Sequence, residues 1–182
     1  MVSNPILQKF RYILVYLIFW LINSLLYFLL INFGLNVKSD VAIIDALVSN
    51  FLLAGLGISY WYPAKFIPFE KSNIPKIIIT YIIGGIISST LWLFAVYNLI
   101  TKTFTSSNDY SFFFNESIAW RFLIGFLFYY LITTFYYVII YYTGFQERIV
   151  NESQMKNLVA QAELKSLKFQ INPHFIFNSL NS

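Results

Sequence analysis

The chain has no cysteine, and that excludes a disulfide, a zinc–thiolate centre and a thiol nucleophile. It has a single histidine, so no multi-histidine metal site can form within one chain. Charge is also scarce: only 11% of the 182 residues are charged, against 58% hydrophobic and 21% aromatic. A soluble domain carries roughly 25% charged residues. Here the apolar residues come in long unbroken blocks, not in a stripe with a polar back, as in a membrane protein.

Four blocks stand out, at 12–35, 41–62, 77–101 and 122–146; Asp45 is the one charge inside any of them. At a rise of about 1.5 Å per residue, each is long enough to cross a hydrocarbon core about 30 Å thick. The first is too long for a signal-peptide core and is kept as a helix. Lys and Arg in the short loops set the orientation. Lys9, Arg11, Lys65, Lys71, Lys76, Arg148 and the three tail lysines fall on one side, and Lys38, Lys102 and Arg121 on the other. That asymmetry predicts a multi-pass membrane protein with both termini cytoplasmic. The outer loop between spans three and four is too short to be an independent binding domain.

Within the membrane, Asp45 is expected about one turn below the outer surface, within reach of water or Lys38. The alternative is an intramembrane sensing or ion-coupling role, because carboxylates are costly there. Gly84, Gly85, Ser88 and Ser89 in span three, and Gly55 with Ser59 in span two, form small-xxx-small pairs that suit close helix packing. They are not a phosphate cradle, which sits between a strand and a helix in water. Span four carries six tyrosines. Tyr141 and Tyr142 suit an interfacial belt. Tyr129, Tyr130, Tyr136 and Tyr137 lie deeper and are expected to hydrogen-bond between helices, with a ligand pocket as the alternative.

After Arg148 the composition changes. No Gly or Pro occurs from Gln146 to Asn172, and the later part is rich in Ala, Leu, Lys, Gln and Glu, which are good helix formers. Met155, Leu158 and Ala162 follow one heptad register, and Ala160, Leu164, Leu167 and Ile171 a shifted one. This pattern predicts a short parallel coiled coil with a phase change, and hence a homodimer. An amphipathic helix lying on its own domain is the alternative. Pro173 then removes a helical N–H and kinks the chain. The kink is expected to release His174 from the seam, on a polar strip with Gln170 and Asn178 at i, i+4, i+8. A neutral imidazole with a pKa near 6.5 is a competent nucleophile at cytoplasmic pH. Gln170 and Asn178 could orient it, though neither is a base. On these grounds alone an ordinary surface histidine stays open.

The segment "AELKSLKFQINPHFIFNSLNS", residues 162–182, closely resembles the phosphoacceptor segment of the LytS-like (YehU-type) sensor histidine kinases. That family carries Q-I-N-P-H-F-x-F-N-x-L-N, and all its fixed positions occur here: Gln170, Ile171, Asn172, Pro173, His174, Phe175, Phe177, Asn178, Leu180 and Asn181. The resemblance covers about twenty residues. It implies that His174 is autophosphorylated from ATP and passes the phosphoryl group to an aspartate of a response regulator, commonly of the LytTR type. It also implies an ATP-binding domain with an Asn-box and a glycine-rich lid, which these 182 residues do not contain. The chain is therefore expected to be the N-terminal part of a longer kinase, inactive alone, with no direct nucleic-acid binding.

The expected organisation is an all-α membrane protein. A four-helix transmembrane sensor region (1–146) precedes a cytoplasmic signalling helix or coiled coil (147–169) and the start of the phosphoacceptor domain (170–182). A small four-helix transporter or channel, and a non-catalytic membrane adaptor, are the rival readings.

Overall fold

The computed structural model describes residues 4–67, 74–103 and 108–170, and among these all regular structure is helical. Helix α1 (Phe10–Leu29) runs on into a π-helical turn (Leu30–Gly34). Helix α2 (Ser39–Ser59) is followed by the short α3 (Trp61–Phe66). Helix α4 (Ile74–Thr103) and helix α5 (Asn108–Gln170) complete the order. Four helices are long and apolar enough to cross a membrane. In hydrocarbon a helix satisfies its own backbone polar groups, which is why such sequences close on themselves as helices.

Two residues past the π turn, Asn36 has a φ of 54°, in the left-handed region. Asn tolerates that conformation better than most residues. Val37 N–H then bonds back to the Ile31 carbonyl at 3.2 Å, and Asn32 Nδ2 reaches the Val37 carbonyl at 2.8 Å and Ser39 Oγ at 3.0 Å. The chain is thus turned tightly from α1 into α2.

Chain contacts divide the molecule into two units, Met1–Val138 and Ile139–Ser182. The first is a bundle with one core, to which all four long helices contribute. Trp20 comes from α1, Leu53 and Ala54 from α2, Trp92, Leu93, Val96 and Ile100 from α4, and Tyr110 and Phe114 from α5. Hydrogen bonds cross between the helices. Tyr16 donates to the Ala54 carbonyl at 2.6 Å and Trp92 Nε1 to the Ser49 carbonyl at 2.9 Å, while Tyr60 and Ser88 share a hydroxyl–hydroxyl bond. Asn4 Nδ2 fastens the N-terminal turn to the Ile58 carbonyl at 3.1 Å.

One expectation about packing is revised. Gly84 and Gly85 do mark a close approach: a Cβ on Gly84 would lie against the Tyr129 hydroxyl, and one on Gly85 would meet Phe126 at 2.9 Å. Gly55, however, has nothing within 4 Å, and the exposed Ser59 bonds to its own Leu56 carbonyl. The close contact on α2 is at Gly57, against Tyr16 and Ile132. A two-residue displacement turns a side chain about 200° around a helix, so the small-xxx-small pattern picked the wrong face. Gly85→Leu is therefore expected to destabilise the bundle by about 1–3 kcal/mol through overpacking. Gly55→Leu should stay within about 0.5 kcal/mol of the parent, as surface changes do. Reversible unfolding in mixed micelles measures both.

Two of the deep tyrosines of span four, Tyr129 and Tyr136, make ring contacts across helices. Tyr129 packs edge-on to Tyr60 with centroids 5.0 Å apart, and Tyr136 edge-on to Trp61 at 5.4 Å. Hydroxyls of Tyr16, Tyr60 and Tyr110 bridge helices.

The second unit is described as far as Gln170 and is the C-terminal part of α5. A Lys156–Glu152 pair at 2.9 Å lies at i, i+4, but both side chains are solvent-exposed and it adds little. Met155, Leu158, Leu164 and Leu167 are each more than half exposed in the single chain.

Candidate functional site

The loop expected between spans three and four is largely helix. α4 runs to Thr103, α5 begins at Asn108, and only 104–107 separate them. The reason is legible afterwards in the residues: Tyr110, Phe114, Ser117 and Arg121 recur at i, i+4, i+7 and i+11, the spacing of one helical face. Tyr110 and Phe114 on that face are buried in the core, and Arg121 is 1% exposed.

Arg121 is thus a bundle residue, not an outer-loop cation, and its partner is Asp45. Nη2 donates to Asp45 Oδ2 at 2.7 Å and Nη1 to Oδ1 at 3.0 Å, a two-pronged ion pair between α5 and α2. Asp45 itself is 0% exposed, so its carboxylate is shielded from bulk solvent. Its Oδ1 also accepts the Tyr110 hydroxyl at 2.9 Å and the Ser49 hydroxyl at 3.3 Å. Arg121 Nε donates to Ser117 Oγ at 2.7 Å. The faces of Phe114 and Phe113 lie 5.1 and 5.2 Å from the guanidinium carbon, with Tyr27 at 6.0 Å. Every nitrogen of the guanidinium therefore donates, and aromatic faces cover the cation.

Burying two charges costs several kcal/mol each before their attraction is counted. The site meets that cost with a fork-shaped cation matched to a carboxylate and two further hydroxyl donors. Asp45 follows the start of α2 by six residues, about 9 Å along the axis, so the pair lies inside the span. Sequence reasoning singled out Asp45 but missed Arg121. A charge ending a loop read as polar gave no hint, whereas the helical period through Tyr110 and Phe114 would have carried it inward.

The other candidate residues are at the far end of the chain. Gln170 is the last residue of α5. Pro173, His174 and Asn178 lie outside the described residues. Among the described residues, no group of acidic, histidine or cysteine side chains could hold a metal ion.

Comparison with known proteins bears on that terminal segment. Residues 162–182 match the family model described as Histidine kinase. No curated protein matches the chain, and no solved structure does. The family match covers 21 residues, 162–182, and does not extend to the helical bundle before them.

Proposed function

We propose that the chain is the membrane and phosphoacceptor part of a bacterial sensor histidine kinase of the LytS-like type. The observation that carries this reading is the dense motif around His174, inside the segment that matches the Histidine kinase family. In this reading the bundle lies in the cytoplasmic membrane with both termini inside. Taking Arg121 into the bundle strengthens the bias of loop and terminal cations, from nine against three to nine against two.

His174 is the phosphoacceptor. Its neutral ring nitrogen attacks the γ-phosphorus of ATP, the bond to the β-phosphate oxygen breaks, ADP leaves and the imidazole gives up a proton. The phosphoryl group then moves to an aspartate carboxylate on a response regulator, the LytTR type being the expected one. Gln170 and Asn178 orient the ring, and Pro173 turns it out of the seam. The nucleotide is held by an ATP-binding domain of the kinase type. The test is to supply such a domain with ATP to the full chain in vesicles. Acid-labile, alkali-stable phosphate on the chain supports the proposal, and a chain that stays unlabelled while a control phosphoacceptor is labelled refutes it.

The exposed apolar residues of the tail favour a homodimer, since a parallel pairing would bury Leu158, Leu164 and Leu167 against their counterparts. Two registers of similar energy would make the tail a two-state element. Cysteines placed singly at Leu158, Ala162 and Leu164 should crosslink in a pattern that changes with the state of the bundle. One unchanging pattern across activating and inactive conditions would remove the switch.

Asp45 is, in this reading, the intramembrane element that holds α5, the helix leading into the tail. The transporter reading drew on Asp45 and the tyrosine-rich span four; the engagement of the carboxylate by Arg121, Tyr110 and Ser49 supports a holding role for Asp45 instead.

A further inference from the structure

Beside the ion pair, a cleft of about 270 Å³ opens into the side of the bundle. Leu26 and Leu30, each 59% exposed, form one rim, and the half-buried Ile124 and Phe128 of α5 form the other. Its floor is polar, made by Ser49 and Asn50 of α2 with Asn23 of α1. The volume is near the lower end of small-molecule sites, roughly 300–1,000 Å³.

The floor has hydrogen-bonding capacity to spare. Asn23 Nδ2 donates to Asn50 Oδ1 at 2.6 Å, and Asn50 Nδ2 donates to the Ala46 carbonyl at 2.8 Å. Each amide has two hydrogens, so these bonds leave one N–H on each residue. Asn50 follows the start of α2 by eleven residues, about 16 Å, which puts the amide pair near mid-depth in a core about 30 Å thick. A phospholipid presents its polar atoms at the interface and only alkyl chain at this depth. An unmet N–H facing hydrocarbon is costly.

We infer that the cleft binds a neutral, carbonyl-bearing molecule dissolved in the hydrocarbon interior, the chemical class of the membrane quinones. The carbonyl oxygen accepts from the Asn23–Asn50 pair, and a flat ring lies among the side chains of Tyr27, Trp92 and Phe128. Anions and cations are excluded by the apolar rims and by the depth. The site also touches the ion pair: Ser49 lines the floor and donates to Asp45, and Tyr27 lines the wall and covers Arg121. Occupancy therefore bears directly on the contact between α2 and α5. The inference rests on the transmembrane reading of the helices and not on the kinase reading, and its readout involves no phosphoryl transfer.

The test uses the full chain in phosphatidylcholine vesicles with an azido-substituted benzoquinone as photoprobe, and maps the label by mass spectrometry. Label should concentrate on Leu26, Ile124 or Phe128. Excess decyl-benzoquinone should lower it at least about tenfold, and decylbenzene, which has no oxygen, less than about twofold. Asn23→Leu should lower it about tenfold, one hydrogen-bonding group having been lost from the floor. Ile124→Trp, which fills the mouth and leaves the amides in place, should abolish it. Label spread over lipid-facing residues in proportion to their exposure would mean the cleft holds only water or acyl chains, and would overturn the inference. Equal competition by decylbenzene, or full labelling of a folded Asn23→Leu chain, would overturn it too.

Discussion

Arg121→Met should destabilise the bundle by about 3–5 kcal/mol, the range for stripping one partner from a buried ion pair. The substitution leaves Asp45 at 0% exposure with two hydroxyl donors and no cation. Asp45→Leu should cost a similar amount, because it strands a guanidinium among Phe113, Phe114 and Tyr27. The double change Asp45→Leu with Arg121→Met removes both charges and keeps approximate volume. It should recover most of the loss, since apolar replacements of buried pairs are often neutral or stabilising. Reversible unfolding of the four proteins in mixed micelles forms a double-mutant cycle. A double variant as unstable as the sum of the singles would show that the pair acts through something besides mutual neutralisation. Under the proposed sensor reading, in which the pair holds α5 in one state, the double variant should be stable and yet unresponsive to the stimulus.

His174→Ala should abolish phosphate labelling when an ATP-binding domain is supplied, because among the side chains of this chain only an imidazole supplies a nucleophilic ring nitrogen, and His174 is the only histidine. The loss is all-or-none and should leave the helical content of the chain unchanged. Gln170→Ala and Asn178→Ala should lower the labelling rate without ending it, on the order of tenfold each if every lost contact is worth about 1.4 kcal/mol in the transition state. The acid lability of the label separates phosphohistidine from phosphoserine. Label that survives His174→Ala, or resists acid, would place the acceptor elsewhere and sink the proposed function.

The four spans were readable because length and apolarity are properties of the chain in one dimension. Charge-free runs of some 25 residues have few options in hydrocarbon besides closing as helices. The helical tail was readable for a related reason, its long freedom from Gly and Pro, and α5 runs to Gln170 accordingly. The histidine motif was readable because its residues are adjacent in sequence. Extent was less secure: the polar look of 104–121 hid the first turns of α5, whose buried face includes Tyr110, Phe114 and Arg121.

Which residues meet was a different matter. Asp45 and Arg121 are 76 residues apart and pair only because α2 and α5 present those faces to one another. The same holds for Gly57, which does the close packing that the pattern gave to Gly55, and for Asn23 with Asn50 on the floor of the cleft. The sequence by itself determined helices of membrane length among the described residues and a segment, 162–182, that matches the Histidine kinase family model, because composition, run length and local motifs survive without a partner. Only the tertiary structure decided the buried ion pair, the tight glycine and the lateral cleft. Those depend on the rotation of each helix about its axis, and packing against the other helices sets that rotation.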